Sequence, residues 1–258
     1  MKLLNFLVLS ILFALFTQVA LAQTIDSTQN VTNFSGSVGI TNNGFSIIPS
    51  FSLNSPAFIS NLAWRKKRLS FEPDIRLVPN ASKGGILLWL RYKLVDAKKF
   101  GLRVGVHPAF NLIRREDTEP GVTKEITEML RFGAFEIVPS YQFSKKIGVS
   151  AMYLQGHAFQ KWGPQFTNVL FLNSALTDLG LSKNVRLSLF PSVFFLHTDG
   201  FRGDYFTLTT VLTHKKLPFS LSSTINQTIK ADLPGNKAFM WNVGVYYNFQ
   251  KTLVRLKK

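Results

Sequence analysis

Charged side chains at alternate positions are the residues of this sequence best placed to do chemistry. Glu72, Asp74 and Arg76 alternate with apolar residues along one predicted strand, and Arg91 and Lys93 do so along the next. Residues two apart on a strand point to the same face, about 6.6–7 Å from each other. Opposite charges in a confined interior pair, because an unpaired charge there is costly. The pattern therefore predicts a ladder of ion pairs between two neighbouring strands.

Other polar residues are predicted to face the same interior from separate strands. The complete set of predicted interior charges is Glu72, Asp74, Arg76, Arg91, Lys93, Arg103, His107, Glu136 and Arg186. The sequence leaves two functions open for this set. It forms a charged constriction that selects solutes, or it is a structural network that fills a narrow barrel.

No catalytic site is predicted. In outer-membrane lipid hydrolases the activating histidine and the nucleophilic serine stand two positions apart on one strand face. No histidine of this chain has a serine at the second position after it. A triad drawn from separate strands would combine His107, Glu136 and Ser140, and a structural histidine is the competing interpretation. A lipid-acting hydrolase of the phospholipase or lipid A deacylase type stays the alternative to a non-enzymatic protein.

Composition excludes several further kinds of chemistry. The chain has no cysteine and 4 histidines, without a paired spacing such as HExxH. A thiol nucleophile is therefore excluded, and no metal site is predicted. The glycines of Lys83-Gly84-Gly85 and Gly200-Phe201-Arg202-Gly203 lack the surrounding residues of a phosphate-binding loop. We therefore expect no cofactor.

The first 22 residues have the pattern of an export signal. Lys2 provides a positive start, Leu3–Phe16 is almost entirely apolar, and Ala20-Leu21-Ala22 provides a cleavage site of small residues. An uncleaved transmembrane anchor is the alternative, but the stretch is short for a bilayer of about 30 Å. We expect a signal peptide over 1–22 and a mature chain that starts at Gln23. No cysteine follows the cleavage site, so no lipid anchor is expected.

The rest of the chain alternates with the period of a β-strand. The last strand is the clearest example, with apolar or aromatic residues at every second position: Phe239, Trp241, Val243, Val245, Tyr247 and Phe249. Most of the residues between them are small or polar: Met240, Asn242, Gly244, Tyr246 and Asn248. Several alternating segments are longer than the strands of soluble sandwiches, and their length is typical of strands that cross a membrane.

About twelve such strands are predicted, with about 14 as the alternative count. The fold class is an all-β, transmembrane, antiparallel up-and-down barrel. The predicted strands are Gly36–Phe51, Pro56–Arg65, Arg68–Val78, Gly85–Val95, Phe100–Leu112, Glu128–Phe143, Ile147–Gln160, Gln165–Asp178, Asn184–His197, Asp204–His214, Leu217–Ile229 and Ala238–Phe249. The predicted domains are the barrel over 23–249 and a basic periplasmic tail over 250–258.

Two features within these strands need interpretation. Asn42-Asn43-Gly44 fits either a hairpin turn or a bulge, and we predict a bulge in one long strand, because a turn would give an odd count. Prolines interrupt other predicted strands at Pro73, Pro108, Pro139 and Pro191. A proline cannot donate to the ladder, so we predict bulges or rim positions there.

The connections differ between the two ends of the predicted barrel. Every second connection is short and basic, and these residues form a predicted periplasmic rim: Lys66, Lys67, Lys98, Lys99, Lys145, Lys146, Lys215 and Lys216. The other connections include the long Arg114–Thr127, as outside loops do in outer-membrane barrels. Anionic lipid headgroups attract each such cation by about 1 kcal/mol. A membrane rim therefore accounts for the formal charge of +16, and no nucleic-acid partner is expected.

Two resemblances extend this interpretation. The last strand, which leads to the aromatic Phe249, resembles the assembly signal of Gram-negative outer-membrane proteins, although a basic tail follows it here. The chain as a whole resembles the small outer-membrane barrels common in Bacteroidota, through Thr41-Asn42-Asn43-Gly44, Phe71-Glu72-Pro73, Trp89-Leu90-Arg91-Tyr92-Lys93, Gly105-Val106-His107-Pro108, Pro139-Ser140-Tyr141 and Trp241-Asn242-Val243. The resemblance implies a barrel fold and the outer membrane as its compartment. We expect outer-membrane lipids as partners, and insertion by the barrel-assembly machinery. It brings no catalytic residues.

The expected function is therefore that of a non-enzymatic outer-membrane barrel. It is either a narrow diffusion pore or a packed scaffold of the cell envelope. The sequence leaves open the solute, whether the lumen is open, and the oligomeric state.

Overall fold

The computed structural model describes residues 31–44, 52–119 and 122–254, and all regular secondary structure within these ranges is β. The strands are β1 (Val31–Thr41), β2 (Ala57–Lys66), β3 (Leu69–Leu77), β4 (Gly84–Asp96), β5 (Phe100–Glu119), β6 (Val122–Gln142), β7 (Ile147–Ala158), β8 (Thr167–Gly180), β9 (Val185–Thr198), β10 (Phe201–His214), β11 (Phe219–Ala231) and β12 (Phe239–Val254). The described ranges contain no helix capable of spanning a bilayer.

The 12 described strands form one closed barrel. Each strand pairs antiparallel with the next in sequence, and β12 lies beside β1 to close the ring. Closure satisfies the backbone hydrogen bonds of what would otherwise be two sheet edges. The predicted all-β, up-and-down transmembrane barrel is therefore confirmed with 12 strands. The predicted signal peptide over 1–22 lies outside the described residues.

The two faces of the wall follow the period-two pattern of the sequence. On β12, Phe239 and Tyr247 are 54% and 45% exposed, whereas Met240 and Asn242 between them are 5% and 8% exposed. The apolar members point outward, because successive side chains of a strand lie on opposite faces. Comparable exposed hydrophobic residues occur around the wall, including Phe58 on β2. An apolar outer wall of this kind is suited to lipid.

The predicted basic rim lies at a single end of the barrel. In an up-and-down barrel the connections alternate between the two ends. The connections β2–β3, β4–β5, β6–β7 and β10–β11 therefore share one end, at which they place Lys66, Lys67, Lys98, Lys99, Lys145, Lys146, Lys215 and Lys216. We call this end the basic end and the opposite end the outer end.

The ends of β1 and β12 differ from the prediction. β1 ends at Thr41, so the predicted bulge at Asn42-Asn43-Gly44 is wrong: the chain leaves the strand there, and Gly44 has a φ of 47°. Asn42 Oδ1 accepts a hydrogen bond from the backbone N–H of Val243 at 2.8 Å, which holds this departure against β12. The remainder of the predicted strand, 45–51, lies outside the described residues. β12 continues past Phe249 to Val254.

The predicted loop Arg114–Thr127 is also wrong, because β5 and β6 pair as far as Glu119 and Val122. Pairing of β4 with β5 stops at Leu112, so this outer part of the hairpin extends beyond its barrel neighbour. An ion pair joins its two strands, with Arg114 Nη1 3.0 Å from Glu125 Oε2. We call residues 113–119 and 122–129 the outer arm. The outer arm is held together by antiparallel pairing of its two strands, although its sequence has no alternating apolar pattern.

The four prolines within strands are neither bulges nor rim positions. They lie at Pro73, Pro108, Pro139 and Pro191, each beside a short interruption in the pairing of one interface. At Pro139 the pairing stops after Ile137–Tyr153 and resumes at Ser140–Ser150 in the same register. Because proline has no N–H, the ladder loses hydrogen bonds without shifting. We call these interruptions the ladder gaps, and they fall at β2–β3, β4–β5, β6–β7 and β8–β9.

Adjacent positions on β11 should respond differently to an added charge. Leu221 is exposed on the outer wall, and Ser222 pairs opposite Gly244 on the inner face. We expect Leu221→Arg to lower the free energy of unfolding by about 2–4 kcal/mol, because the guanidinium would lie in hydrocarbon. Ser222→Arg is the matched control and should lower it less. Urea unfolding in lipid vesicles measures both, and equal losses would contradict a lipid-facing Leu221.

Candidate functional site

A buried carboxylate, Glu136 on β6, lies at the centre of the predicted charge network. It is 1% exposed, and Arg91 on β4 binds it with two bonds, Nε to Oε1 at 2.8 Å and Nη2 to Oε2 at 3.2 Å. Arg103 on β5 donates a third, from Nε to Oε1 at 3.1 Å. A paired planar geometry of this kind is the strongest form of carboxylate recognition by arginine.

Glycine on the intervening strand makes this contact possible. Gly105 on β5 pairs with Arg91 on one side and with Glu136 on the other, so it lies between the two side chains. A Cβ at Gly105 would come within 2.9 Å of Arg91 Cγ and 3.0 Å of Glu136 Cγ. The missing side chain therefore lets the arginine reach across β5.

The network continues from Arg91 towards β2. Arg91 Nη1 is 2.6 Å from Glu72 Oε2 on β3, and Arg65 Nη2 on β2 is 3.0 Å from Glu72 Oε1. We call the five residues Arg65, Glu72, Arg91, Glu136 and Arg103 the lumen ion-pair chain. It joins five consecutive strands with three arginines and two glutamates. The expected contact between Arg91 and an acid of the neighbouring strand is present in it.

The other predicted charges take local partners. Asp74 and Arg76 pair within β3, with Arg76 Nε and Nη2 at 2.9 and 2.7 Å from the two carboxylate oxygens. Lys93 pairs with Asp96 at 3.0 Å, where both side chains are about half exposed. Arg186 lies on β9 and pairs with Asp178 at 2.8 Å.

One member of the chain was missed by the sequence analysis. Arg65 ends the predicted strand Pro56–Arg65 and is absent from the predicted interior charges, yet its side chain contacts Glu72 on the lumen face. Arg65 continues the period-two series Ala57, Ile59, Asn61 and Ala63, in which Ala57, Ile59 and Ala63 are buried in the structure. The inner face of β2 therefore extends to Arg65, next to the last residue of the strand.

Aromatic rings cover the outer-end side of the lumen ion-pair chain. The guanidinium carbon of Arg91 lies 4.1 Å from the ring centroid of Trp89, and the ring of His107 is 4.0 Å from that of Trp89. His107 is 7% exposed, and its Nδ1 has no hydrogen-bond partner among the described residues. The stacking explains where the histidine sits, and it leaves the nitrogen unsatisfied.

Apolar side chains are buried in the outer half of the lumen, and they were not predicted from the sequence. Three clusters of buried residues occupy it: Val169, Phe171, Phe194, Leu196 and Tyr205; Leu53, Ala57, Ile59 and Val78; and Ala109, Leu130, Phe132 and Ala158. We call them together the outer apolar packing. Leu53 and Val78 belong to connections, so the chain folds into the barrel mouth as well as around it.

At mid-height, the strands β10 to β12 present uncharged polar side chains to the lumen. Thr209 and Thr224 face each other across β10 and β11, with their hydroxyl oxygens 2.9 Å apart. Asn226 is almost completely buried, and neither its Oδ1 nor its Nδ2 has a partner among the described residues. The lumen therefore has a charged wall on β2–β6 and a wall of hydroxyls and amides opposite.

The candidate catalytic triad does not converge. His107 is paired with Ala134 of β6, and Ser140 lies six residues further along that strand, a separation of roughly 20 Å. The Ser140 hydroxyl donates instead to the carbonyl of Gly101 at 3.4 Å, and both carboxylate oxygens of Glu136 accept from arginines. Within the described ranges there is also no group of three or more acidic, histidine or cysteine side chains placed to hold a metal.

Comparison with known proteins gives similarity at the level of the barrel. No family model and no curated protein matches the sequence. Among solved structures, the KdgM porin in complex with disordered oligogalacturonate has a TM-score of 0.49 at 10% identity, over 84% of this chain and 99% of that one. An outer membrane channel from Pseudomonas putida F1 gives 0.49 at 11%, over 88% and 100%. OmpT of Vibrio cholerae gives 0.45 at 9%, over 88% and 100%. Similarity this distant says nothing of what this barrel binds.

The lumen ion-pair chain should show strong coupling between its members. Arg91→Met alone leaves two carboxylates short of their main partner, so we expect it to destabilise the barrel by about 3–5 kcal/mol. Adding Glu136→Leu should recover part of that loss, because the buried charge is removed as well. A double-mutant cycle in urea measures the coupling.

The exposed pair Lys93 and Asp96 provides the matched control for this cycle. Its coupling should be at most about 1 kcal/mol, since both side chains are solvated. Equal coupling energies in the two cycles would contradict a structural role for the buried pair Arg91 and Glu136.

Proposed function

We propose that this protein is a non-enzymatic outer-membrane β-barrel whose lumen is closed, so that it serves the cell envelope as a packed barrel rather than as an open diffusion pore. Three features support a location in the outer membrane: the apolar outer wall, the outward aromatic residues of β12 as far as Phe249, and the basic end. The basic end faces the periplasm in this proposal and lies against anionic headgroups. Insertion depends on the barrel-assembly machinery, for which β12 is the recognised strand.

The outer apolar packing carries the proposal. Val169, Phe194 and Tyr205 point into the lumen, and all three are 0% exposed. A water-filled channel at their level would leave lumen-facing side chains accessible to water. The rings of Phe194 and Tyr205 stack at 4.7 Å, and Phe171 lies 5.0 Å from Phe194 on the other side. Packing of this kind excludes hydrated solutes at the outer half.

The lumen ion-pair chain supports the same conclusion at mid-height. A constriction that selects charged solutes needs charges that remain free to meet them. Both glutamates of the chain are instead held by arginines, and Glu136 is buried. We therefore assign the chain a structural role, the filling of one side of the barrel.

A hydrolase gains no support from the lumen. Ser140 lies roughly 20 Å from His107 along the barrel wall. The Ser140 hydroxyl donates to the carbonyl of Gly101, and the Glu136 carboxylate is held by arginines. The proposal that the protein is not an enzyme rests on this geometry.

Electrical recording separates the packed barrel from the narrow pore. We expect the protein in planar bilayers to give no single-channel steps, because apolar rings close the outer half. The triple variant Phe171→Ala, Phe194→Ala, Tyr205→Ala removes the stacked rings and is expected to give steps, which also verifies insertion. Reproducible steps from the unaltered protein would establish the diffusion pore and overturn the closed lumen.

Cell fractionation tests the compartment. In a Gram-negative cell we expect the protein in the outer-membrane fraction, with a gel mobility that changes on heating, because a closed barrel resists detergent until it is boiled. The same gel separates folded from unfolded variants in the other experiments. A soluble periplasmic protein without a mobility shift would contradict the proposed location.

A further inference from the structure

A groove on the outer wall crosses the part of the barrel from β5 to β10. Its volume is about 590 Å³, and we call it the wall groove. Exposed apolar side chains border it, among them Phe100, Val149 and Leu172. The volume lies within the range of about 300–1,000 Å³ that is typical of sites for whole ligands. The wall groove is therefore large enough for one molecule, on a surface that faces hydrocarbon in the proposed membrane location.

Two of the ladder gaps form the floor of the wall groove. The register on both sides of each gap places Pro139 opposite Ala151 and Pro191 opposite Ser174. All four residues line the groove. At the gaps of β2–β3 and β4–β5 the register instead places a leucine opposite the proline. The depression therefore forms where a short side chain lies opposite the proline on the outer wall.

The polar residues of the lining leave the body of the wall groove largely apolar. Four of them point to the lumen and form hydrogen bonds there: Ser140, Ser150, Asn173 and Ser192. On the outer side, the polar groups are the hydroxyls of Tyr141 and Ser174. No charged residue is among the described residues that line the groove. A hydrocarbon chain therefore suits the body of the groove better than a polar molecule does.

Aromatic side chains lie where the wall groove reaches the basic end. Tyr141 and Phe143 are 39% and 59% exposed, and their ring centroids are 5.1 Å apart in an edge-to-face arrangement. Exposed aromatic residues near one end of a membrane barrel mark the level of the lipid headgroups. A lipid whose chain lies in the groove would therefore have its headgroup beside the turns of the basic end.

Four lysines lie at this mouth of the groove, in two neighbouring turns of the basic end: Lys98, Lys99, Lys145 and Lys146. Turn β4–β5 directly precedes Phe100, and turn β6–β7 lies between Tyr141 and Val149, which line the groove. All four lysines are exposed, and none forms an ion pair with a described residue. The acid nearest to them in sequence, Asp96, pairs with Lys93. The mouth therefore offers unpaired positive charge to a phosphate group.

We propose that the wall groove binds one phospholipid with a negatively charged headgroup, whose acyl chain lies in the groove and whose phosphate lies at Lys145 and Lys146. The site rests on the proposed outer-membrane location and deepens it, because it assigns one lipid to a fixed place on the wall. A chain that moves into the groove from the bilayer gains packing contacts, since lipid tails are as apolar as the wall. The lysines therefore decide which headgroup is selected.

Native mass spectrometry of the barrel, refolded without lipid into detergent micelles, tests the site with two lipids. Dioleoyl phosphatidylglycerol and dioleoyl phosphatidylcholine have the same chains, and only the first has a net charge. We expect one phosphatidylglycerol to be retained per barrel at low lipid concentration, with phosphatidylcholine bound more weakly. The double variant Lys145→Gln, Lys146→Gln should weaken phosphatidylglycerol about 30-fold, the combined attraction of two cations near a lipid surface. It should affect phosphatidylcholine much less.

Two lysines of another turn provide the matched control for charge. Lys66 and Lys67 lie at the same end of the barrel, at turn β2–β3, and no described residue of β2 or β3 lines the wall groove. The double variant Lys66→Gln, Lys67→Gln removes the same charge from the protein. It should leave the retention of both lipids unchanged, because the groove and its mouth stay intact.

Filling the groove tests the place of the acyl chain. The double variant Ala151→Leu, Ser174→Leu puts two larger apolar side chains on the floor and should abolish retention of both lipids. Thr210→Leu is the matched control, because Thr210 lies outside the lining and on the face of β10 opposite to the lumen-facing Thr209. It should retain phosphatidylglycerol as the unaltered barrel does. Heat-modifiable mobility verifies that each variant is folded.

Several results would overturn the site. They are absence of a retained phosphatidylglycerol on the unaltered barrel, equal losses in the two lysine variants, and unchanged retention in the folded groove-filling variant. A dimer in the spectrum of the unaltered barrel that the groove-filling variant loses would assign the groove to a second copy of this chain, and would also overturn the lipid. These results concern the purified barrel, so cell fractionation tests the outer-membrane location separately.

Discussion

The burial of one carboxylate, that of Glu136, is the constraint on which the inner architecture depends. A buried carboxylate must be fully paired, and its partners come from β4 and β5. This pairing requires a glycine at position 105, between the side chains of Arg91 and Glu136, because a side chain there would displace one of them. It also sets the height at which the lumen changes character, from apolar packing at the outer end to polar walls towards the basic end.

Much of the fold follows from the period of two and from the charge of the turns. β12 could be assigned with its outward face, because its apolar and polar positions alternate without a break. The sequence failed at the outer arm for a physical reason. There the hairpin stands free of β4, so it needs no apolar face, and paired strands without such a face resemble a polar loop. The predicted bulge at Asn42-Asn43-Gly44 was wrong for a different reason, because a turn and a bulge use the same residue types.

The residues of the site could be predicted more fully than the contacts that each residue makes. Alternation identifies which charges face inward, but contacts depend on register and on reach across a strand. Asp74 thus pairs with Arg76 beside it, and Arg91 passes over Gly105 to a strand beyond. The outer apolar packing could not be seen at all. In Val193-Phe194-Phe195-Leu196 both faces are apolar, one towards lipid and one towards the lumen, so no alternation separates them.

The ladder gaps divide the wall into two mechanically unequal parts. They occur at four alternate interfaces between β2 and β9. The pairings β9–β10 and β1–β2 are continuous, and β10–β11 has one bulge at Asp204–Tyr205 but no gap beside a proline. Fewer backbone hydrogen bonds resist bending at a gap. Lateral pressure from a bilayer will therefore deform the arc from β2 to β9 first, while the remaining arc keeps its curvature. We therefore expect the cross-section of the barrel to become elliptical under such pressure, with bending concentrated at the prolines.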